Sequence, residues 1–390
     1  MSKPVILIRT LSLGVGNYGG ILQAYALQRV IEELGFHPVT DESRAPLALT
    51  RTDRAKQFVR QTTARAPLVR RIRPKWAAES LHHVTHRQLN EFVDRHINTV
   101  HLYGDDGQLS DPTTIECADA YVVGSDQVWR RKYGDVASYM YDFLPPTSRP
   151  IVAYAASFGR DDIDEYSAEL VETTARLAKR FTSISVREVS GVALCREHWG
   201  VEASVHVDPT LLLEADHYLE LAAAADEEHI TGPLVAYVLD DSPGTQAAVE
   251  AVERRMAATA TTILPKPAPS LSSVIASPGR YVWPSVTQWL RSIASANLVV
   301  TDSFHGMVFA ILFERDFVVL GNEARGLTRF TSLLDLLGLG ERLARDPRAA
   351  AALIGTPVEW EHVRTRLAAE RLRGRGFLGD ALADARRGPY

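Results

Sequence analysis

Short apolar runs alternate with stretches of helical spacing along most of the chain. Val5 to Arg9 opens the pattern as a nearly unbroken apolar run and predicts a buried strand. A glycine-rich turn follows. Ile21 to Leu34 then carries apolar residues at helical spacing up to Gly35, a residue suited to a helix C-terminus. His37 to Thr40, Tyr121 to Gly124, Ile151 to Ala155, Ser183 to Val186 and Val205 to Val207 predict further short strands. A second set comprises Leu234 to Leu239, Thr261 to Leu264, Leu298 to Thr301 and Phe317 to Leu320. Pro265 to Ser270 is proline-rich and predicts a loop, and the charged, periodic stretch from Pro357 onward predicts helix. From Arg51 to about His101 the texture is helical or irregular, with a strongly basic part between Arg51 and Lys75.

Strands that alternate with helices imply parallel sheets. Two such sets imply an α/β protein of two Rossmann-like domains. The first spans residues 1–213, with the basic insertion around 51–100. The second spans 214–345, and a helical tail covers 346–390. A length of 390 residues suits two domains of ordinary size. Hydrophobic content of 46% and charged content of 23% describe an ordinary soluble globular chain. A net charge of −5 gives no global reason to expect nucleic-acid binding. Two cysteines, Cys117 and Cys195, cannot build a disulfide framework and fit a reducing compartment. No signal-length apolar stretch stands at the start and no run has membrane-spanning length, so a cytoplasmic protein is expected.

The candidate chemistry gathers at predicted strand ends. Asn297 to Gly306 is an apolar run closing in Thr301-Asp302-Ser303-Phe304-His305-Gly306, just before a helix-like segment. A histidine there would stand at the carboxyl end of a strand, where ligands bind in open α/β sheets and an imidazole can exchange protons. Gly14-Val15-Gly16-Asn17-Tyr18-Gly19 matches a dinucleotide fingerprint, with Asp41 beyond it. Its register is poor, because Thr10 to Leu13 separate it from the strand. It equally suits a tight turn, or an anion at a helix N-terminus with Asn17 as cap or contact. Gly124-Ser125-Asp126-Gln127-Val128-Trp129 follows another strand. There Asp126 either caps the next helix or contacts a sugar hydroxyl and orients a base. Arg187 at a strand end offers a planar fork for phosphate or carboxylate, or a salt bridge to an acid. Asp208-Pro209 reads as a boundary turn with Asp208 as cap. His82 and His86 would share a helix face, without the glutamate or third ligand of a metal site. Asp161-Asp162-Ile163-Asp164 reads as a solvated acidic loop.

Six segments in order resemble the polysaccharide pyruvyl transferase family. They are Asn17 to Leu27, Val123 to Trp129, Tyr154 to Gly159, Ser185 to Glu188, Asp208 to Leu212 and Thr301 to Gly306. The resemblance runs from about Val5 to Leu339. It implies a fold like that of GT-B glycosyltransferases, with two Rossmann-like domains facing a cleft. It implies transfer of the pyruvyl group of phosphoenolpyruvate to two hydroxyls of a sugar, giving a cyclic ketal in polysaccharide, cell-wall or glycosylated natural-product synthesis. By motif position His305 matches the family's histidine, with Asp126 beside it as a second catalytic group. Arg187, Arg325, Ser303, Asn17 and Gly19 are expected on the donor side, and Ser125, Gln127 and Asp302 on the acceptor side. No metal and no cofactor beyond phosphoenolpyruvate as co-substrate is implied. Two departures stand out: Ser303 occupies the place of an arginine found in many members, and Arg325 that of a more usual lysine. The competing expectations are a GT-B-like transferase with a nucleotide-sugar donor, a scaffold with a degenerate site, and a dinucleotide oxidoreductase. The sugar acceptor is expected to be free, lipid-linked or nucleotide-linked. The basic stretch Arg51 to Lys75 is expected either to touch an anionic membrane face peripherally or to form a solvated insertion.

Overall fold

A computed structural model of the chain describes residues 3–43, 81–104, 107–225, 232–321 and 326–387. Their strands form two parallel sheets. The first has seven: β1 (Val5–Arg9), β2 (His37–Asp41), β3 (Thr99–Val100), β4 (Ala120–Val123), β5 (Ile151–Ala156), β6 (Ser183–Val186) and β7 (Ser204–Val205), in spatial order β3-β2-β1-β4-β5-β6-β7. The second has five: β8 (Leu234–Tyr237), β9 (Thr261–Thr262), β10 (Leu298–Thr301), β11 (Asp316–Leu320) and β12 (Leu343–Ala344), in order β12-β11-β10-β8-β9. Helices cover both faces of such sheets, so the central strands carry nearly continuous apolar runs. Ile6 to Ile8, Val299 and Val300 are fully buried.

Each sheet reverses its strand order once. The reversals fall between β1 and β4 in the first sheet and between β8 and β10 in the second. These are the two points where loops from neighbouring strands leave in opposite directions and open a crevice. The chain passes from the first sheet to the second between β7 and β8.

Helix α1 (Tyr18–Glu33) follows β1, and Ile21, Leu22, Leu27, Val30 and Ile31 within it are fully buried. It ends as its sequence requires. Gly35 takes φ +93°, and the Phe36 amide donates to the Ile31 carbonyl, closing the left-handed cap. Helix α2 (Arg87–His96) presents Leu89, Phe92 and Val93 to the same core. In the second domain, α3 (Val286–Ser295) starts at a capping box of Ser285 and Gln288. Helix α4 (Phe304–Leu312) is buried on every side. An apolar cluster joins the domains at this level. Tyr18 stacks on Trp289 at 5.2 Å between centroids, Trp289 meets Phe309 edge-on at 5.2 Å, and the Tyr18 hydroxyl donates to the Pro284 carbonyl.

Helix α5 (Thr328–Leu337) returns toward the first domain. Helix α6 (Trp360–Ala381) then crosses back onto it, where Arg375 pairs with Glu33 at 2.6 Å and donates to the Leu212 carbonyl. The expected tail is therefore helical, and it ties the two domains together. The structure has the expected α/β architecture of two parallel-sheet domains around a cleft. No described helix is long and apolar enough to cross a membrane.

Candidate active site

A cavity of about 690 Å³ opens where the two crevices face each other. Leu11 and Ser12 follow β1, and Asp126 and Gln127 follow β4. Leu239 follows β8, and Asp302 to His305 follow β10. Both topological switch points thus contribute to one space.

The turn after β10 is built by its own side chains. The Thr301 hydroxyl donates to the Tyr237 carbonyl at 2.6 Å and accepts from the Ser303 amide at 3.0 Å. The carboxylate of Asp302 accepts from the Leu239 and Asp240 amides at 2.6 and 2.8 Å, joining this turn to the loop after β8. Ser303 caps α4, its hydroxyl accepting from the Gly306 amide. His305 therefore sits in the first turn of α4, with its side chain only 7% exposed.

The imidazole is wedged between domains. Its Nε2 lies 3.5 Å from Oδ2 of Asp208. Its other face lies against Gly19. A methyl group built on Gly19 would stand 2.7 Å from His305 Cβ and closer still to ring atoms Nδ1 and Cγ. Gly19 is thus needed to admit the histidine, whereas the glycine pattern alone suggested contact with an anion.

Asp208 is the hub beneath the imidazole. Its Oδ1 accepts from the amide and hydroxyl of Thr210, the capping role expected of it. Its Oδ2 accepts from Arg187 at 2.6 Å and from the Ser125 hydroxyl at 3.0 Å, as well as facing His305. Arg187 also pairs with Asp126 at 3.2 Å, and its guanidinium lies 4.3 Å from the centre of the Phe304 ring. Burial alone would raise both aspartates. His305 and Arg187 outweigh it at Asp208, and Arg187, His305 and Arg329 outweigh it at Asp126, so both carboxyls lie below the usual range. Glu188 goes the other way, pushed up by burial although Ser157 and backbone amides bond to it. Arg329 extends from α5 into the main cavity. Burial and then the neighbouring Arg187 lower its pKa to about 10, which leaves it cationic at neutral pH. Lys132 stands exposed at the mouth.

His305, Asp126, Gln127, Asn17, Ser303 and Asp302, all singled out from the sequence motifs, line this cavity. Ser125 does not. It is fully buried, with its hydroxyl shared between Asp208 and the Ala155 carbonyl and its amide donating to Gln23, so it supports the site from behind. Arg187 faces a second cavity, and two carboxylates already match its charge. The cation expected to hold a donor anion is thus a structural ion-pair member. Arg325 and the basic stretch Arg51 to Lys75 lie outside the described residues. The sequence motifs gave no site role to Arg329, Lys132 or Phe304, and none to Asp208 as hub.

The other motifs are structural. In the glycine pattern, Gly16 adopts φ +71° and Gly19 receives His305. His82 Nε2 lies 2.6 Å from the Gly14 carbonyl, and His86 packs on Trp283 at 5.2 Å. Among the described residues no group of three or more His, Cys, Asp or Glu could hold a metal ion. Asp162 forms a fork with Arg160 on the surface.

The family model described as polysaccharide pyruvyl transferase matches residues 17–324 of the chain. Comparison with curated proteins gave no match. Solved structures of similar outline include the UDP-GlcNAc 2-epimerase of Neisseria meningitidis bound to UDP-GlcNAc. It has 10% identity, a TM-score of 0.47, and coverage of 97% of this chain and 99% of that one. The UDP-GlcNAc 2-epimerase of Methanocaldococcus jannaschii, in complex with UDP-GlcNAc and UDP, shares 12% identity over 94% of each chain with a TM-score of 0.44. MurG of Acinetobacter baumannii shares 9% identity over 97% of this chain and 98% of that one, with a TM-score of 0.39.

Proposed function

The chain belongs to the polysaccharide pyruvyl transferase family, and from that premise we propose that it moves the pyruvyl unit of phosphoenolpyruvate onto two hydroxyls of a sugar. The observation that carries this reading is one cavity in which His305, backed by Asp208, faces the same space as Arg329 and Lys132.

The donor carries a phosphate and a carboxylate, so it needs cationic partners in a partly dry site. Arg329 and Lys132 supply them; Arg187 instead holds Asp208 and Asp126 in place. Protonated His305 gives its proton to the methylene carbon of the donor, which becomes a methyl group. Asp208, 3.5 Å from Nε2, holds the ring in place for that transfer. Positive charge then develops at the central carbon. A sugar hydroxyl attacks there and loses its proton, the bond to the phosphate oxygen breaks, and inorganic phosphate leaves. A second hydroxyl closes the ketal and passes its proton to the departing phosphate, while the proton from the first hydroxyl returns to His305. Asn17, Gln127 and Asp126 offer polar groups to the sugar from the first domain.

Isothermal titration with phosphoenolpyruvate tests the donor assignment. Saturable binding is expected, weakened at least tenfold in Arg329→Gln. Binding of a UDP-sugar or NAD with no response to phosphoenolpyruvate would overturn it. His305→Ala should leave donor binding within a few-fold and lower turnover by about 10²–10⁴.

A further inference from the structure

One long stretch of the second domain has no carboxylate. Between Glu253 and Asp302 the chain carries Arg254, Arg255, Lys266, Arg280 and Arg291 but no aspartate or glutamate. At the chain's average of 48 acidic residues in 390, a stretch of this length would hold about six. The chain as a whole has a net charge of −5, so this part stands out as locally basic.

The middle of the stretch forms a surface. The short helix Leu271–Ala276 starts at a Ser270 cap and buries Val274. Leu271 and Ile275, one turn apart on one face, are left 43% and 74% exposed. A lone exposed aliphatic is ordinary; two adjoining ones ringed by cations are less so. The helix packs against the next turn, Pro278–Tyr281. The Lys266 amide donates to the Arg280 carbonyl at 2.9 Å, which brings two exposed cations together there. The Arg280 guanidinium lies 5.6 Å from the centre of the half-buried Tyr281 ring.

Trp283 ties this surface to the rim of the main cavity. Its amide donates to the Thr85 carbonyl at 2.8 Å and its ring packs on His86. It stands 3.1 Å from a methyl group built on Gly16, which lines the cavity.

The charges select the occupant. A second copy of the chain docked by the same face would set Lys266 and Arg280 against their own like, with no carboxylate in the stretch to pair them. An anionic bilayer supplies what is missing. Its phosphates match the cations, its acyl boundary takes the two aliphatics, and its headgroup level suits tyrosine and tryptophan rings.

We infer that the surface of residues 266–281 docks the protein peripherally on an anionic lipid bilayer, with Leu271 and Ile275 inserted and Lys266 and Arg280 among the headgroup phosphates. It is separate in sequence from the basic stretch Arg51 to Lys75. Docking here brings the Gly16 rim of the cavity near the lipid, whichever donor the cavity takes.

Co-sedimentation of the full chain with phosphatidylglycerol–phosphatidylcholine vesicles tests it, with pure phosphatidylcholine vesicles as the neutral control. Binding to the anionic vesicles is expected, falling as salt is raised. Leu271→Asp and Ile275→Asp should each weaken it about tenfold or more, through loss of one inserted side chain. Lys266→Gln and Arg280→Gln should weaken it about fivefold each. All four side chains are exposed, so unfolding midpoints should match the wild type. No binding to anionic vesicles overturns the inference, as does equal binding to the neutral ones. Binding that all four variants leave unchanged overturns it too, by placing the lipid contact elsewhere. A wild-type dimer in sedimentation velocity that Ile275→Asp dissociates, without vesicle binding, would assign the surface to a second copy instead.

Discussion

Gly19→Ala puts the contact between the domains to a sharp test. The added methyl group would lie 2.7 Å from His305 Cβ and closer to the ring, against the 3.4 Å at which ordinary contact begins. The ring has little room to yield. Its Nε2 faces Asp208, its neighbour Phe304 carries the Arg187 guanidinium, and its backbone belongs to a helix buried on every side. Either α1 or α4 must then shift by something near an ångström. Overpacking of this kind costs about 1–3 kcal/mol. A catalytic group displaced by about 1 Å typically loses about 10²-fold in rate. The assay pairs guanidinium unfolding with turnover of phosphoenolpyruvate. Gly19→Ala should unfold earlier and lose most activity. Adding His305→Ala should restore part of the lost stability, because the ring contacts are gone while the 2.7 Å approach to Cβ stays, with a coupling of about 0.5–2 kcal/mol in the double-mutant cycle. Wild-type turnover and midpoint in Gly19→Ala would refute the reasoning, and so would strictly additive losses in the double variant.

Asp208→Asn should lower stability by about 3–5 kcal/mol in chemical denaturation, since Arg187 would keep only Asp126 as a buried counter-charge. The depressed carboxyl of Asp208 adds stability that is complete above its unfolded pKa, near 3.8, and is lost as pH falls below it. The wild type should therefore show a steeper acid limb than Asp208→Asn in unfolding midpoints measured against pH. His206 acts higher on the scale. Between its ordinary 6.5 and about 4 the unfolded state takes up a proton that the native ring refuses, so stability falls as pH drops through that window. In His206→Phe, the same series of midpoints should lose that slope.

Much of the frame was legible because buried parallel strands leave unbroken apolar runs, and β6 and β10 fall where the pattern puts them. The strands β3 and β12 were not, for two residues carry no periodicity. His305, Asp126 and Ser303 could be found because strand-end loops concentrate polar groups in a short stretch. Longer-range facts escaped. Arg187 reads as an anion fork or a salt-bridge member alike until Asp126 and Asp208, 61 and 21 residues away, are folded against it. Asp208 reads as a cap because one oxygen does cap, and no local spacing tells where the other points. Arg329 resembles any charged residue on an amphipathic helix. Gly19 answers to a histidine nearly three hundred residues later, a constraint written in the packing of two domains.

The most direct test of the account is a crystal structure of the protein with phosphoenolpyruvate bound. The account predicts the donor in the cavity between β1, β4, β8 and β10, its phosphate or carboxylate bonded to Arg329 and its methylene carbon facing His305. Donor density bonded instead to Arg187 in the second cavity, or no donor density at saturating concentration, would contradict it.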